Sequence, residues 1–286
     1  MPNLTLAERV SLIGPMDYRL LKFLYEKTAT HDWIKLSQIS DELGISKREI
    51  LSSLSKLYDL RLVSKELVLG ENAYRITFTG LNVISTKNLY VNKILNKLGI
   101  MIGTGKESEV YIGYNFDGDP IIVKYHKLGK SYRNYKKYRE DTDSSWIRRT
   151  VHNAEKEYNA LKCVKSNYGQ VPSPLGSSLN AIAMEYIYGK ELYKIEISDP
   201  ESALNDILST VRIAYKECNI IHGDLSEYNI LYSLDSDRSY VIDWPQSTNI
   251  QNEEILLRDI TNILYYFSKK YNIIKGVQET LNYVKG

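Results

Sequence analysis

The sequence is poor in cysteine, lacks long apolar runs and carries no large excess of charge of either sign. Its 286 residues include only two cysteines, Cys163 and Cys218, which lie far apart and form no CxxC motif. This pattern argues against a disulfide framework or a cysteine zinc site, so we expect two buried thiols. No apolar run approaches the roughly 18 residues that span a membrane. Because Glu8 and Arg9 interrupt the first apolar stretch, we also expect no signal peptide and a cytoplasmic protein.

The charge balance is near neutral overall but uneven along the chain. There are 37 basic and 35 acidic residues, for a net charge of +2, and 43% of the residues are hydrophobic. This composition excludes a disordered chain and one that is basic throughout, and the length suits about two domains. One stretch carries seven cations and no acid: Lys124, Lys127, Lys130, Arg133, Lys136, Lys137 and Arg139.

The first 90 or so residues have the pattern of a small helical domain that ends in a hairpin. Pro15 suits the first turn of a helix, and Ser46 with Glu49 forms a capping-box pattern at the start of another. That helix would turn its apolar residues, Ile50, Leu51, Leu54 and Leu57, inward. Two short β-patterned runs then flank a turn at Gly70. The order predicts a winged helix-turn-helix, whose outward residues Lys47, Arg48 and Lys56 would contact nucleic acid. A helical scaffold or dimerisation domain is the alternative.

A glycine turn follows, at Gly103, Gly105, Lys106, Glu107 and Ser108. Glycines between strands allow the backbone to approach phosphate oxygens closely. A Rossmann site would require a helix next, whereas the pattern predicts a strand; a P-loop would require Ser or Thr where Glu107 stands. Strand, glycine turn and strand is the arrangement that protein kinases place over ATP.

A lysine on an apolar strand comes next. Lys124 ends the run Ile121–Lys124 at a spacing that suits the kinase lysine, which holds the α- and β-phosphates. Its acidic partner should lie on the following helix, where Glu155 and Glu157 compete. We choose Glu157, because the apolar stripe of the helix runs beside it.

The strongest motif is the segment from Ile221 to Leu231, which has the kinase spacing HxDLxxxN. Asp224 is expected to orient and deprotonate the attacking group, and Asn229 to bind Mg²⁺. Asp243, at the end of a later strand, would supply a second metal ligand, and Mn²⁺ could replace Mg²⁺. We expect His222 to be structural. For adenine we expect backbone contacts from the connection after the strand that includes Met184, namely Glu185 and Ile187.

These motifs resemble those of the RIO-type atypical serine kinases. The resembling segments are Gly105–Tyr111, His222–Leu231 and Ile242–Gln246, with Trp244 in place of the family's usual phenylalanine. A glycine replaces the arginine that ordinary kinases have before the catalytic aspartate, and no APE segment follows. The winged-helix pattern and the basic run suggest the family's second branch.

The resemblance implies an α+β chain with a winged-helix domain at 1–92 and a compact bilobal kinase-like domain at 93–286, with lobes at about 93–185 and 186–286. It implies an ATP- and Mg²⁺-dependent serine/threonine kinase or ATPase that acts in maturation of the small ribosomal subunit. A phosphoryl-aspartate would form at Asp243. We expect the precursor subunit and its rRNA as partners, with Lys130 and Arg133 as further RNA contacts and Ser131 as an autophosphorylation site.

Two other functions remain open. A small-molecule phosphotransferase of the aminoglycoside-kinase type also uses an HGD motif with a later asparagine, but it would need a substrate-binding insert for which the C-terminal half has little room. A nucleotide-sensing, nucleic-acid-binding regulator would tolerate loss of Lys124, Asp224 or Asn229. All three are present.

Overall fold

The computed structural model describes residues 4–28, 30–127 and 145–286, and the chain divides into two compact units. The first comprises Met1–Ala154 with Ser177–Ala183, and the second Glu155–Gly176 with Met184–Gly286. The predicted domain boundary at residue 92 falls inside the first unit and stays a prediction. In the part of the chain that is described, no helix is both long enough and apolar enough to cross a membrane.

The first unit begins with the predicted winged helix. It contains helices α1 (Leu6–Leu12), α2 (Pro15–Lys27), α3 (Leu36–Leu43), α4 (Lys47–Asp59) and α5 (Phe78–Val91), and strands β1 (Ile34–Lys35), β2 (Val63–Val68) and β3 (Glu71–Ile76). The three strands form an antiparallel sheet in the order β1-β3-β2. Completely buried leucines and isoleucines of α2 and α4 form its core.

Helix α4 differs from its prediction in two details. The Ser46 hydroxyl accepts from the Glu49 backbone N–H at 3.4 Å, but it also donates to the Glu49 carboxylate at 2.7 Å. The reciprocal half of the predicted capping box is therefore replaced by a side-chain contact. Leu51, which was expected to face inward, is 40% exposed, because it is offset from the stripe formed by Ile50, Leu54 and Leu57.

A five-stranded sheet follows in the order β4-β5-β6-β8-β7. Its strands are β4 (Lys97–Thr104), β5 (Ser108–Tyr114), β6 (Pro120–His126), β7 (Pro174–Ser178) and β8 (Ala181–Glu185). Helix α6 (Ser145–Ser166) precedes β7 in the chain. The hairpins β4–β5 and β5–β6 are antiparallel. The glycine turn joins the first two strands, as predicted, and Asp117 and Gly118 lie in the turn of the second hairpin.

The second unit is mainly helical. It contains α7 (Pro200–Lys216), α8 (Glu253–Tyr271) and α9 (Val277–Lys285), and the strands β9 (Gly189–Glu191), β10 (Ile220–Ile221), β11 (Ile230–Ser233), β12 (Arg238–Val241) and β13 (Thr248–Asn249). Short 3-10 turns lie at Leu192–Lys194 and Glu227–Asn229. The strands form a three-stranded sheet, β12-β11-β9, and a pair, β10-β13. The apolar faces of α7 and α8 are buried.

The expectation of two buried thiols is wrong. Cys163 at the end of α6 and Cys218 just after α7 form a disulfide, with their Cα atoms 5.9 Å apart. Both residues are half-buried rather than in the core. The bridge joins the end of one helix to the segment that leads into β10 and the loop 222–229, the candidate catalytic loop.

Candidate active site

The glycine turn lies in the first unit, at the tip of the β4–β5 hairpin. The turn is closed by a hydrogen bond from the Gly105 N–H to the Ser108 carbonyl oxygen at 2.9 Å. Lys106 and Glu107 are exposed at its tip. The predicted strand, turn and strand is therefore confirmed as local structure.

Lys124 lies across the sheet from Gly103, at the start of this turn, with one strand between them. It pairs with Val110 on β5, which in turn pairs with Gly103 on β4. Residues that pair directly across strands point to the same face of a sheet, so Lys124 projects from the face next to the glycine turn. Its side chain is largely buried, with 7% of the residue exposed.

A second lysine holds the turn, and sequence reasoning did not single it out. The Lys127 ammonium lies 3.3 Å from the Thr104 hydroxyl and 3.2 Å from the Glu109 carboxylate. The Lys127 N–H also donates to the Glu107 carbonyl oxygen at 2.8 Å. Lys127 therefore ties both sides of the glycine turn to the end of β6. In the sequence it was one cation among seven, with nothing to mark it.

In the second unit, the β11–β12 hairpin brings the two candidate metal ligands to one end. Ile230 pairs with Val241, so Asn229 and Ile242 flank that pair, and the Ile242 N–H donates to the Asn229 carbonyl oxygen at 2.9 Å. Asp243 is the next residue. It has a φ of +69°, a left-handed backbone conformation that few non-glycine residues adopt.

Asn229 also contacts Asp224, the candidate catalytic base. Its amide Nδ2 donates to the Asp224 carbonyl oxygen at 2.7 Å and to the Asp224 carboxylate at 3.2 Å. Because Nδ2 makes both bonds, the amide oxygen is the Asn229 atom that suits a cation. The oxygen donors of Asn229 and Asp243 fit Mg²⁺, which takes few protein ligands when phosphates and water complete its shell. Among the described residues no group of three or more His, Cys, Asp or Glu side chains could hold a metal by itself.

His222 is structural, as expected. Its Nδ1 accepts from the Asp224 N–H at 3.2 Å, so Nε2 carries the proton and donates to the Ile242 carbonyl oxygen at 2.9 Å. Burial lowers the pKa of His222, which keeps the ring neutral and suits this bonding. The ring thus links the backbone of Ile242, the residue before Asp243, to the backbone of Asp224.

Asp259 on α8 holds the backbone on both sides of Asp224, and sequence reasoning did not single it out. Its carboxylate accepts from the Gly223 N–H at 2.7 Å and from the Leu225 N–H at 3.4 Å, on either side of Asp224. It is 1% exposed. The available signal was a charged residue in an otherwise apolar helical stripe, since buried acids require partners.

The segment after Asp243 packs tightly on the catalytic loop. Gly223 has a φ of +87°, and a Cβ there would lie 2.4 Å from the Gln246 carbonyl oxygen, so only glycine fits. Trp244 is fully buried, and its ring centroid lies 4.6 Å from that of His222. The Trp244 N–H lies 3.4 Å from a carboxylate oxygen of Glu157, which is buried on α6. Pairing of Glu157 with Lys124 remains a prediction.

The segment after β8 that is proposed to bind adenine already uses some of its hydrogen-bonding groups within the protein. Met184 is buried at the end of β8, and the Glu185 N–H donates to the Ser173 carbonyl oxygen at 2.9 Å. The Glu185 carboxylate accepts from the Ser173 N–H and hydroxyl at 2.9 and 2.7 Å. Glu185 would therefore offer adenine its carbonyl oxygen, and a backbone N–H would have to come from Ile187.

The candidate nucleic-acid residues fall into three groups. Lys47 and Arg48 are exposed at the start of α4. Lys56 forms an ion pair with the buried Asp17 at 2.6 Å, so its charge is compensated within the winged helix. Burial tends to raise the pKa of Asp17, but hydrogen bonds from Lys56 and Gly14 outweigh it and lower the pKa. Lys130, Arg133 and Ser131 lie outside the described residues.

Comparison with known proteins gives one consistent result. The RIO domain model matches residues 109–280. The RIO-type serine/threonine-protein kinase Rio2 of Methanocaldococcus jannaschii is 33% identical over 86% of this chain and 93% of its own length. The serine/threonine-protein kinase rio2 of Dictyostelium discoideum is 29% identical over 90% of this chain. The chain spans only 51% of that protein's length.

Solved structures agree on the fold. The Rio2 kinase of Chaetomium thermophilum, in a complex with ADP, Mg²⁺ and phosphoaspartate, matches with a TM-score of 0.82. The match covers 96% of this chain and 88% of the other at 22% identity. The predicted class, a winged helix followed by a RIO kinase-like fold, is confirmed.

Proposed function

This chain belongs to the RIO family, and we propose that it is an ATP- and Mg²⁺-dependent atypical serine/threonine kinase with ATPase activity. One observation carries the proposal. Asn229 bonds to Asp224, and the hairpin register brings Asn229 to the same end as Asp243. Base, metal ligand and metal aspartate are thereby coupled within one small loop system, as phosphoryl transfer requires.

Each residue has a defined part in this chemistry. Lys124 and the backbone of the glycine turn would bind ATP phosphates. Asn229 and Asp243 would hold Mg²⁺, which when bound neutralises charge on the phosphate oxygens. Asp224 would orient the acceptor hydroxyl or water and take its proton. Its position is set by Asn229, His222 and Asp259.

We further propose that Asp243 accepts the phosphoryl group. A carboxylate oxygen would attack the γ-phosphorus, the bond to the β-phosphate oxygen would break, and ADP would leave; water would then hydrolyse the acyl phosphate to free phosphate and regenerate the carboxylate. The position of Asp243 beside Asn229, at the end of the β11–β12 hairpin, supports this step. The phosphoaspartate in the Chaetomium thermophilum complex is consistent with this step.

The step is tested by looking for a phosphoryl label on the protein that hydroxylamine removes, as it does from an acyl phosphate. The protein is incubated with radiolabelled ATP and Mg²⁺, quenched in acid, and mapped by mass spectrometry. We expect label on Asp243, its loss in Asp243→Asn, and its retention in Asp235→Asn, a matched change at the exposed turn of the same hairpin. Rapid phosphorylation of an added protein with no labile label on Asp243 would contradict the aspartyl-phosphate step but not the kinase assignment.

We propose small-subunit maturation as the cellular role, with the precursor subunit and its rRNA as partners. ATP hydrolysis should increase when precursor particles are added. Lys47 and Arg48 should contact rRNA phosphates, and each lost contact should reduce the log–log salt slope of binding by about 0.7 to 0.9. We therefore expect the affinity of Lys47→Ala and Arg48→Ala to depend less steeply on salt than that of Lys22→Ala. Lys22→Ala is the control, because Lys22 faces Glu26 on α2. Equal salt dependence in the wild type and the three variants would contradict an RNA contact by these two residues of the winged helix.

A further inference from the structure

A cavity in the first unit lies apart from the glycine turn and Lys124. Its volume is about 630 Å³. Residues of α1 and α2 form one wall, and the end of α5 with the start of β4 forms the other. The cavity thus lies where the winged helix meets the first strand of the five-stranded sheet. Its size is within the range of about 300 to 1,000 Å³ that is usual for small-molecule sites.

The lining is mainly apolar and includes aromatic rings. Val10 and Ile13 contribute from the winged helix, and Leu95 and Leu98 from the opposite wall. Tyr18 and Tyr90 also line the cavity. The Tyr18 hydroxyl donates to the Asn88 amide oxygen at 2.6 Å, which links α2 to α5 beside the cavity. A planar apolar group could pack against the Tyr18 ring, which this bond holds in place.

The charged side chains that line the cavity are both lysines. Lys87 and Lys97 line it, and the Lys93 ammonium lies 5.9 Å from the centroid of the Tyr90 ring. Within the described ranges, none of these three lysines has an acidic partner. The sequence from Phe78 to Lys106 contains four lysines and no acid. An anion at the rim would therefore meet uncompensated positive charge.

We propose that this cavity binds a small aromatic anion, with its ring among the apolar side chains and its carboxylate, sulfonate or phosphate group toward Lys87 and Lys97. The apolar wall disfavours metal ions and strongly hydrated ions, which would lose their water without replacement ligands. The cationic rim favours an anion over a neutral aromatic of the same shape. This site is independent of the proposed kinase activity.

The test uses naphthalene-1-sulfonate as the probe and isothermal titration calorimetry on the full chain. We expect saturable binding of one equivalent, at least fivefold weaker for neutral 1-naphthalenemethanol and weaker as salt increases. The double variant Lys87→Gln/Lys97→Gln should lose at least fivefold in affinity, and Val10→Phe should lose binding by filling the cavity. Lys65→Gln, which removes an exposed lysine of β2, is the matched control and should bind as the wild type does.

Two outcomes would overturn the proposal. One is the absence of saturable binding to the wild-type protein. The other is equal affinity for the sulfonate and the neutral alcohol, which would leave the lysines without a role. Both comparisons use the unmodified chain, so they do not depend on whether any variant folds. ATPase activity is a separate readout, and its absence would bear on the proposed function and not on this cavity.

Discussion

Replacing Asp259 should disable catalysis through the backbone of the catalytic loop. In Asp259→Ala the Gly223 and Leu225 N–H groups lose their acceptor, and they flank Asp224. The 2.7 Å bond to a buried carboxylate is worth about 1.5 to 3 kcal/mol, and the 3.4 Å bond about 0.5 to 1.5 kcal/mol. Together they stabilise the loop by roughly 2 to 4 kcal/mol.

If this energy serves to hold Asp224 in its reactive position, its loss should lower the turnover rate strongly. At about 1.4 kcal/mol per tenfold change, 2 to 4 kcal/mol corresponds to roughly a 30- to 1,000-fold fall in kcat. The KM for ATP should change little, because the Asp259 carboxylate bonds to the loop backbone and to the Arg258 guanidinium, neither of which is proposed to bind ATP. Asp259→Asn retains one acceptor oxygen and should lie between the wild type and Asp259→Ala.

Steady-state ATP hydrolysis and thermal unfolding should be measured on the same preparations. Glu254→Gln, an exposed change on the same helix, is the control and should leave kcat unaltered. A lower Tm in Asp259→Ala with an unchanged kcat would refute the positioning role and leave Asp259 as a purely structural residue.

Four shorter predictions concern the remaining contacts. Gly223→Ala should abolish ATP hydrolysis, because its Cβ would clash with the Gln246 backbone at 2.4 Å; activity near the wild-type level would refute the assigned backbone. Lys127→Met should raise the KM for ATP severalfold with a smaller change in kcat, since it loosens the glycine turn; the reverse split in steady-state kinetics would contradict it. Burial lowers the pKa of His222 in the folded protein, so on acidification the unfolded chain takes up the proton at a higher pH than the folded chain does. The stability of the protein should therefore fall as the pH drops below about 6.5. Between pH 7 and pH 5 the Tm should fall less in His222→Asn than in the wild type. Reduction by dithiothreitol should lower the Tm by about 10 °C, and should have no effect on a Cys163→Ser/Cys218→Ser variant.

Local patterns in the sequence were enough to predict the site motifs. The glycine turn, the β6 lysine and the loop from His222 to Asn229 depend on residue spacing within a few positions. Turn and strand chemistry determines such arrangements, so the structure has them in the predicted places. The winged helix was predicted from the order of its helix patterns, a helix cap and a hairpin, and the resemblance to the family supported it.

Helix α5 was not predicted, because it is buried on nearly every side and its sequence therefore lacks the repeat of apolar residues that marks a half-buried helix. Nearly every face of the helix is buried, from Gly80 through Thr86, so polar and apolar residues do not alternate with a helical repeat. Its one local signal was Thr77, whose hydroxyl accepts from the Gly80 N–H at 3.1 Å. Contacts between distant segments, such as Asp259 with Gly223, leave no periodic trace in a single sequence.

The disulfide shows where cysteine counting fails. Two lone cysteines far apart predict free thiols only if the fold keeps them apart, and here α6 and α7 end side by side. The chain-entropy model gives about 4 kcal/mol for a bridge that closes a loop of 55 residues. That loop contains β7, β8, β9 and α7, and its far end leads directly into β10 and the loop of Asp224. The bridge therefore restrains the approach to the catalytic loop, while His222 and Asp259 hold the loop itself.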